Sequence, residues 1–166
     1  MLTQERLKEL LHYDETTGLF TWLVARQGVR SCAVAGHLSQ NGYIVIRIDG
    51  RIHKAHRLAW LYFYGNFPPA EIDHIDRRRA NNSITNLRPA TSSENKMNAH
   101  MQSNNSSGFK GVSWDKRDRK WRAYAGLNGK QKSLGYFATA EAAAEAYQAF
   151  ARQHHGEFYI HPEVIE

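Results

Sequence analysis

The sequence predicts an α+β protein of two small modules, on three observations. The stretch HMQSNNSSG at 100–108 is polar, small and without periodicity, so it reads as a linker dividing a chain of 166 residues into two lengths that can each form a small core. Residues 70–99 alternate as strand, loop, strand and helix, a ββα unit within an N-terminal domain of residues 1–99. Residues 109–160 read as a three-stranded antiparallel sheet packed on one helix.

The elements follow in order. Thr3 is a suitable N-cap, and Leu2, Leu7, Leu10 and Leu11 lie near helical spacing, so a short amphipathic helix is expected over 3–12. In DETTGLFTW a Thr-Gly turn precedes an apolar strand. GYIVIRIDGRIHKAH is two alternating runs about Asp49-Gly50, a dipeptide suited to the positive φ angles of a tight hairpin, with Ile44, Ile46 and Ile48 on one face. The aromatic-rich segment from Ala55 to Tyr64 is a helix ended by Gly65, with Pro68 and Pro69 beyond. EIDHI and NLRPA are short extended pieces either side of the polar Arg77–Thr85 segment, and Ser92 is expected to cap a helix bearing Asn95 and Asn98. The second half gives three strands, with a turn at Asn128-Gly129. A helix capped by Thr139 follows, with Ala143, Ala144, Tyr147, Phe150 and Ala151 as its apolar stripe.

A formal charge of +6, from 22 Lys and Arg against 16 Asp and Glu, points to an anionic partner such as nucleic acid. No apolar run approaches the roughly 20 residues of a membrane span, and MLTQERLKELLHYDE lacks the order of a secretory signal, so a cytoplasmic protein is expected. The single cysteine, Cys32, leaves oxygen or imidazole as metal ligands and is itself expected to be a small packing residue.

IDHIDRRRANNSITNLRPATSSENK, residues 72–96, carries the chemistry. One reading is a solvated loop whose asparagines make turn and cap hydrogen bonds. The other is a phosphodiester-cleaving site. Histidine, with an ordinary pKa near 6.5, suits a base that takes a proton from water. Asp73 and the amide oxygen of Asn95 suit a hard cation such as Mg2+, which takes few protein ligands. Strand alternation sends the adjacent Asp73 and His74 to opposite faces, which separates ligand from base unless the backbone bends.

HRLAW at 56–60, then IDHI, NN, NLR and SSEN, with TGLFTW and GYIVI upstream, together resemble the HNH endonucleases of bacteriophages and mobile introns, whose site is the ββα-metal or His-Me finger. The resemblance spans about Tyr13 to Asn98. It implies that His74 is the general base, that Asp73 and Asn95 hold one divalent ion (Mg2+, with Mn2+ as substitute), and that Asn86 braces the loop and orients His74. It further implies an accessory role for Asn82 and a bent backbone between aspartate and histidine. His56 and Arg57 either support catalysis or begin a structural helix. This chain departs from the family in carrying Asp76-Arg77 where an Asn-Gly turn is common; Arg77, Arg78 and Arg79 form either a phosphate clamp or a solvated loop.

Lys110, Arg117, Arg119, Arg122, Lys130 and Lys132, interleaved with Trp114, Trp121 and Tyr124, make residues 110–132 a candidate double-stranded DNA contact. FKGV, KWRA, LGYF and TAEAAAEAY resemble the apetala-two type DNA-binding domain of plant ethylene-response factors, with Ser113 and Ser133 at base-reading positions. The expectation is a divalent-metal-dependent DNA endonuclease. As a monomer it would nick one strand, and a double-strand break would take a dimer or two events. A DNA-binding regulator with a vestigial site, or an RNA-binding module, are the alternatives.

Overall fold

The computed structural model describes residues 1–25, 28, 30–99, 101, 105–127, 129–154 and 156–158. It divides into two compact units, Met1–Ala90 and Thr91–Glu166.

In the first unit α1 (Gln4–Leu10) begins at Thr3, whose hydroxyl accepts from Arg6 N at 3.2 Å. The helix stops short of the expected 3–12. Leu11 is extended (φ −135°, ψ 138°), and β1 (Leu11–Tyr13) pairs antiparallel with β2 (Phe20–Trp22). Leu11 and Tyr13 both point inward there with His12 outward, a period of two that wins over helical spacing once the chain can pair. β3 (His37–Leu38), β4 (Ile44–Ile48) and β5 (Arg51–Lys54) form a sheet in that order, and Asp49 and Gly50 take φ of 46° and 79° at the tight turn. α2 (Ala55–Tyr64) ends at a left-handed Gly65. β6 (Glu71–His74) and β7 (Leu87–Ala90) make the last hairpin. Leu7, Leu11, Phe20, Ile46, Ile48, Leu58, Ile72 and Leu87 meet in one core, so the hairpin β6–β7 is held through its apolar residues. Cys32 corrects an expectation: it is exposed with a φ of 64°, at a turn rather than in packing.

The second unit opens with α3 (Ser92–Asn98). Its cap is Thr91, one residue before the expected Ser92: Thr91 Oγ1 accepts from Glu94 N, and Thr91 N donates to Glu94 Oε2 at 2.7 Å. A sheet in the order β10–β9–β8 is built from β8 (Val112–Asp115), β9 (Lys120–Leu127) and β10 (Lys130–Phe137). Asn128, of the expected Asn-Gly turn, lies outside the described residues. α4 (Ala140–His154) starts after Thr139, whose hydroxyl accepts from Ala142 N, and buries Ala143, Ala144, Tyr147, Phe150 and Ala151. Gly111 lets this helix approach: at φ +74° a Cβ there would stand 2.3 Å from the Tyr147 ring. Among the described residues no helix is long and apolar enough to cross a membrane.

Candidate functional site

The hairpin β6–β7 places the first unit's chemistry. Its register is unbroken, with Asp73 opposite Arg88 and His74 opposite Leu87. The bend expected between Asp73 and His74 lies instead after His74, where Arg77 N donates to His74 O at 2.9 Å and Arg77 takes a φ of 62°. Successive side chains of a paired strand leave opposite faces, so the two residues enter different surroundings.

Asp73 meets Arg88. Arg88 Nε donates to Asp73 Oδ2 at 2.9 Å, and Arg88 Nη2 lies 2.7 Å from the same oxygen; both side chains are more than nine-tenths buried. The sequence assigned Arg88 no role, because its place opposite Asp73 depends on the hairpin's register.

His74 enters a ring cluster. Its imidazole stands edge-on to that of His56 at 5.0 Å between centroids, and Tyr43 lies 5.2 Å from His56 and 6.0 Å from His74. Burial pushes the His74 pKa below its ordinary value, opposed by a hydrogen bond from the imidazole to the Asn82 side chain. His56 is driven down to about 3, first by burial and then by His74 itself. Both rings are therefore neutral at pH 7. A neutral imidazole can take a proton, which an imidazolium cannot.

The intervening loop is tied by amides. Asn86 Nδ2 donates to Asp76 Oδ1 and to Asn81 O, each at 2.9 Å, while Asn86 Oδ1 accepts from Asp76 N at 2.9 Å. Asp76 also accepts from Arg78 N at 2.8 Å and from Asn81 Nδ2 at 2.7 Å. An aspartate thus organises the turn where the resembling family has asparagine, and Arg77 adopts the left-handed backbone that glycine takes with less strain. Asn82 is buried, its Nδ2 donating to Ala80 O at 3.0 Å. The N-terminal hairpin backs this loop: Tyr13 Oη donates to Asn82 O at 2.7 Å, and Ser83 Oγ to Glu15 O at 2.9 Å. Gly18 makes the approach possible, since a Cβ there would come within 2.3 Å of the Asn82 and Ser83 backbone.

Other candidates fall elsewhere. Arg57 has its guanidinium 5.8 Å from the Phe67 ring centroid and Nη1 3.5 Å from Ala70 O, and its charge helps to lower the His56 pKa. Neighbours on a helix point about 100° apart, which is why α2 buries one and not the other. Arg78 and Arg79 are exposed, and Arg79 Nη1 donates to Asn41 O at 3.0 Å. Asn95 belongs to α3, in the second unit. Oxygen from Asp73 suits a hard ion, and a carboxylate has lone pairs enough to hold a guanidinium and ligate an ion together. Among the described residues no three of His, Cys, Asp and Glu gather as a zinc site would require.

In the second unit Arg122 and Tyr124 share the sheet face opposite α4, and Arg122 pairs across with Ser113 and Tyr136 and Tyr124 with Ser133. Arg117, beside Asp118, and Arg119 extend from the turn before β9 and are exposed. Lys130 and Lys132 pair with Leu127 and Ala125 and so lie on the α4 side, with Lys132 5.2 Å from the Phe150 ring centroid. Trp121 packs against the buried cluster and stands edge-on to Trp114. Lys110 reaches the end of α3, its Nζ donating to Met97 O and Ala99 O at 2.6 Å and to Lys96 O at 3.3 Å. Lys110→Met is therefore expected to destabilise the second unit by about 2 kcal/mol in chemical denaturation, the scale of charged hydrogen bonds to orphan helix carbonyls. An unchanged midpoint would show that the ammonium is not held there.

Comparison with known proteins adds to this geometry. Residues 53–97 match the family model for HNH endonuclease, and residues 107–157 match that for the AP2 domain. Protein 3.8 of Escherichia phage T7 is 35% identical over 106 residues, which cover 63% of this chain and 87% of that protein. The HNH endonuclease L560 of Acanthamoeba polyphaga mimivirus is 31% identical over 124 residues, 74% of this chain and 63% of that protein. No solved structure matches the chain.

Proposed function

The chain belongs to the HNH endonuclease family, with an AP2 domain after its nuclease domain, and on that premise we propose that it is a metal-dependent nuclease that nicks double-stranded DNA with His74 as general base. The observation that carries this reading is the buried His74 imidazole beside a loop braced by the Asn86 amide. In this scheme His74 takes the proton of the attacking water, and Asn82 and Asn86 hold the imidazole and its loop. Asp73 supplies a carboxylate oxygen for the ion, and the Asn95 amide is the second donor assigned by resemblance. A bound Mg2+ or Mn2+ would neutralise charge on the phosphate and the leaving oxygen. Arg122 and Tyr124 face the duplex from the AP2 domain, with Arg117 and Arg119 near its phosphates. The likeness to a phage protein supports action in a bacterial host cytoplasm.

A single site acting as a monomer cuts one strand. Wild-type protein with Mg2+ is therefore expected to turn supercoiled plasmid into open circles first, with linear DNA accumulating only later, and a chelator should stop both. Absence of relaxation with either Mg2+ or Mn2+ would sink the nuclease reading, relaxation in chelator would sink metal dependence, and linear DNA as first product would sink nicking.

A further inference from the structure

We propose that Lys54 and Arg79, gathered on the ring of Tyr43 beside His74, form a clamp for a single DNA backbone phosphate. This rests on the nuclease reading and names the residues that would seat its substrate. Tyr43 stands at the start of β4 after a tight turn in which Ser39 N donates to Tyr43 O at 2.8 Å and Tyr43 N to Ser39 Oγ at 3.2 Å. Lys54 Nζ lies 4.5 Å from the ring centroid and the Arg79 guanidinium 5.2 Å from it. The two cations come from distant places, the end of β5 and the loop after β6, so their meeting is a product of the fold.

Two like charges sharing one ring repel, and a cation–π contact at an exposed site returns only about 0.5–1 kcal/mol each. Among the described residues neither Lys54 nor Arg79 has a carboxylate within ion-pair distance. An uncompensated pair of cations is complementary to an anion. The rigid fork of arginine and the point charge of lysine suit the two non-bridging oxygens of a phosphodiester. The Arg79 fork is already aimed by its bond to Asn41 O. The Tyr43 and His74 rings are 6.0 Å apart, so a phosphate held over Tyr43 lies close to the one that His74 would serve. The clamped phosphate is therefore the scissile one or its neighbour.

The test is equilibrium binding of a random duplex to the full-length protein in chelator, so that it does not depend on cleavage; plasmid relaxation by wild type separately judges the nuclease reading. Lys54→Met and Arg79→Met are each expected to weaken binding about tenfold at ~0.1 M salt, with the double variant little weaker than either. The slope of log affinity against log salt should fall by about 0.9 in the double variant, one phosphate's worth. Tyr43→Leu should weaken binding with both charges kept, and Tyr43→Phe should restore it; thermal unfolding checks that each variant is folded. A fall of about 1.8, additive between the single variants, means two separate phosphates and overturns the clamp. So does an unchanged slope, or full binding by Tyr43→Leu.

Discussion

Replacing His74 by alanine is expected to slow plasmid relaxation about a thousandfold, within the 10²–10⁴ that a positioned base contributes, while duplex binding in chelator stays near that of wild type. A loss below tenfold would show that another group takes the proton. The pH profile of the wild type follows from the same burial. Because burial holds the His74 pKa below its ordinary value, the acid limb of activity should fall below pH 6.5, with the rate level through neutrality. Stability moves in the same sense. His74 and His56 bind protons more readily in the unfolded chain than in the fold, so their contribution is complete above about pH 6.5. It is lost as the pH falls toward the value of about 3 that His56 has when folded. Urea midpoints that decline from pH 7 to pH 5 would agree with this. Midpoints that rise would show the rings to be charged in the native state.

Arg88→Ala is expected to destabilise the first unit by about 3–5 kcal/mol, the consequence of removing one member of a buried ion pair. That is a large part of the roughly 5–15 kcal/mol that holds a domain folded. Asp73 and Arg88 are each more than nine-tenths buried, so water cannot replace the missing guanidinium as it would at the surface. Arg88→Lys keeps the charge without the two-point contact on Oδ2 and should fall between. Adding Asp73→Asn to Arg88→Ala should recover part of the loss, because the buried charge that lost its guanidinium is then gone. Urea denaturation of the four proteins measures this. A cost under 1 kcal/mol for Arg88→Ala would mean that the pair behaves like a solvated one.

Much of this was legible in the chain. The helix over Ala55–Tyr64 and the hairpin about Asp49-Gly50 stand where the sequence put them, because glycine and paired alternation act locally. The stripe Ala143, Ala144, Tyr147, Phe150 and Ala151 is the buried face of α4, since helical spacing alone decides which residues share a face. Local signals failed where pairing intervened. Leu11–Tyr13 left the helix for a strand, and Thr91 took the cap from Ser92 because Glu94 stands at the spacing its capping box requires.

The sequence by itself determined the two-part character of the chain, the HNH pattern within residues 53–97, and the basic, aromatic strand of the C-terminal domain. These follow from order and spacing along one dimension. Only the tertiary structure decided that Asp73 meets Arg88, that His74 meets His56 and Tyr43, that Lys110 is held on α3, and that Lys130 and Lys132 lie across the sheet from Arg122. Each of those depends on strand register or on the approach of segments far apart in the chain. A shift of one residue in register would send every side chain of a strand to the other face, and the long loop between β6 and β7 does not fix that count as the tight turn at Asp49-Gly50 does.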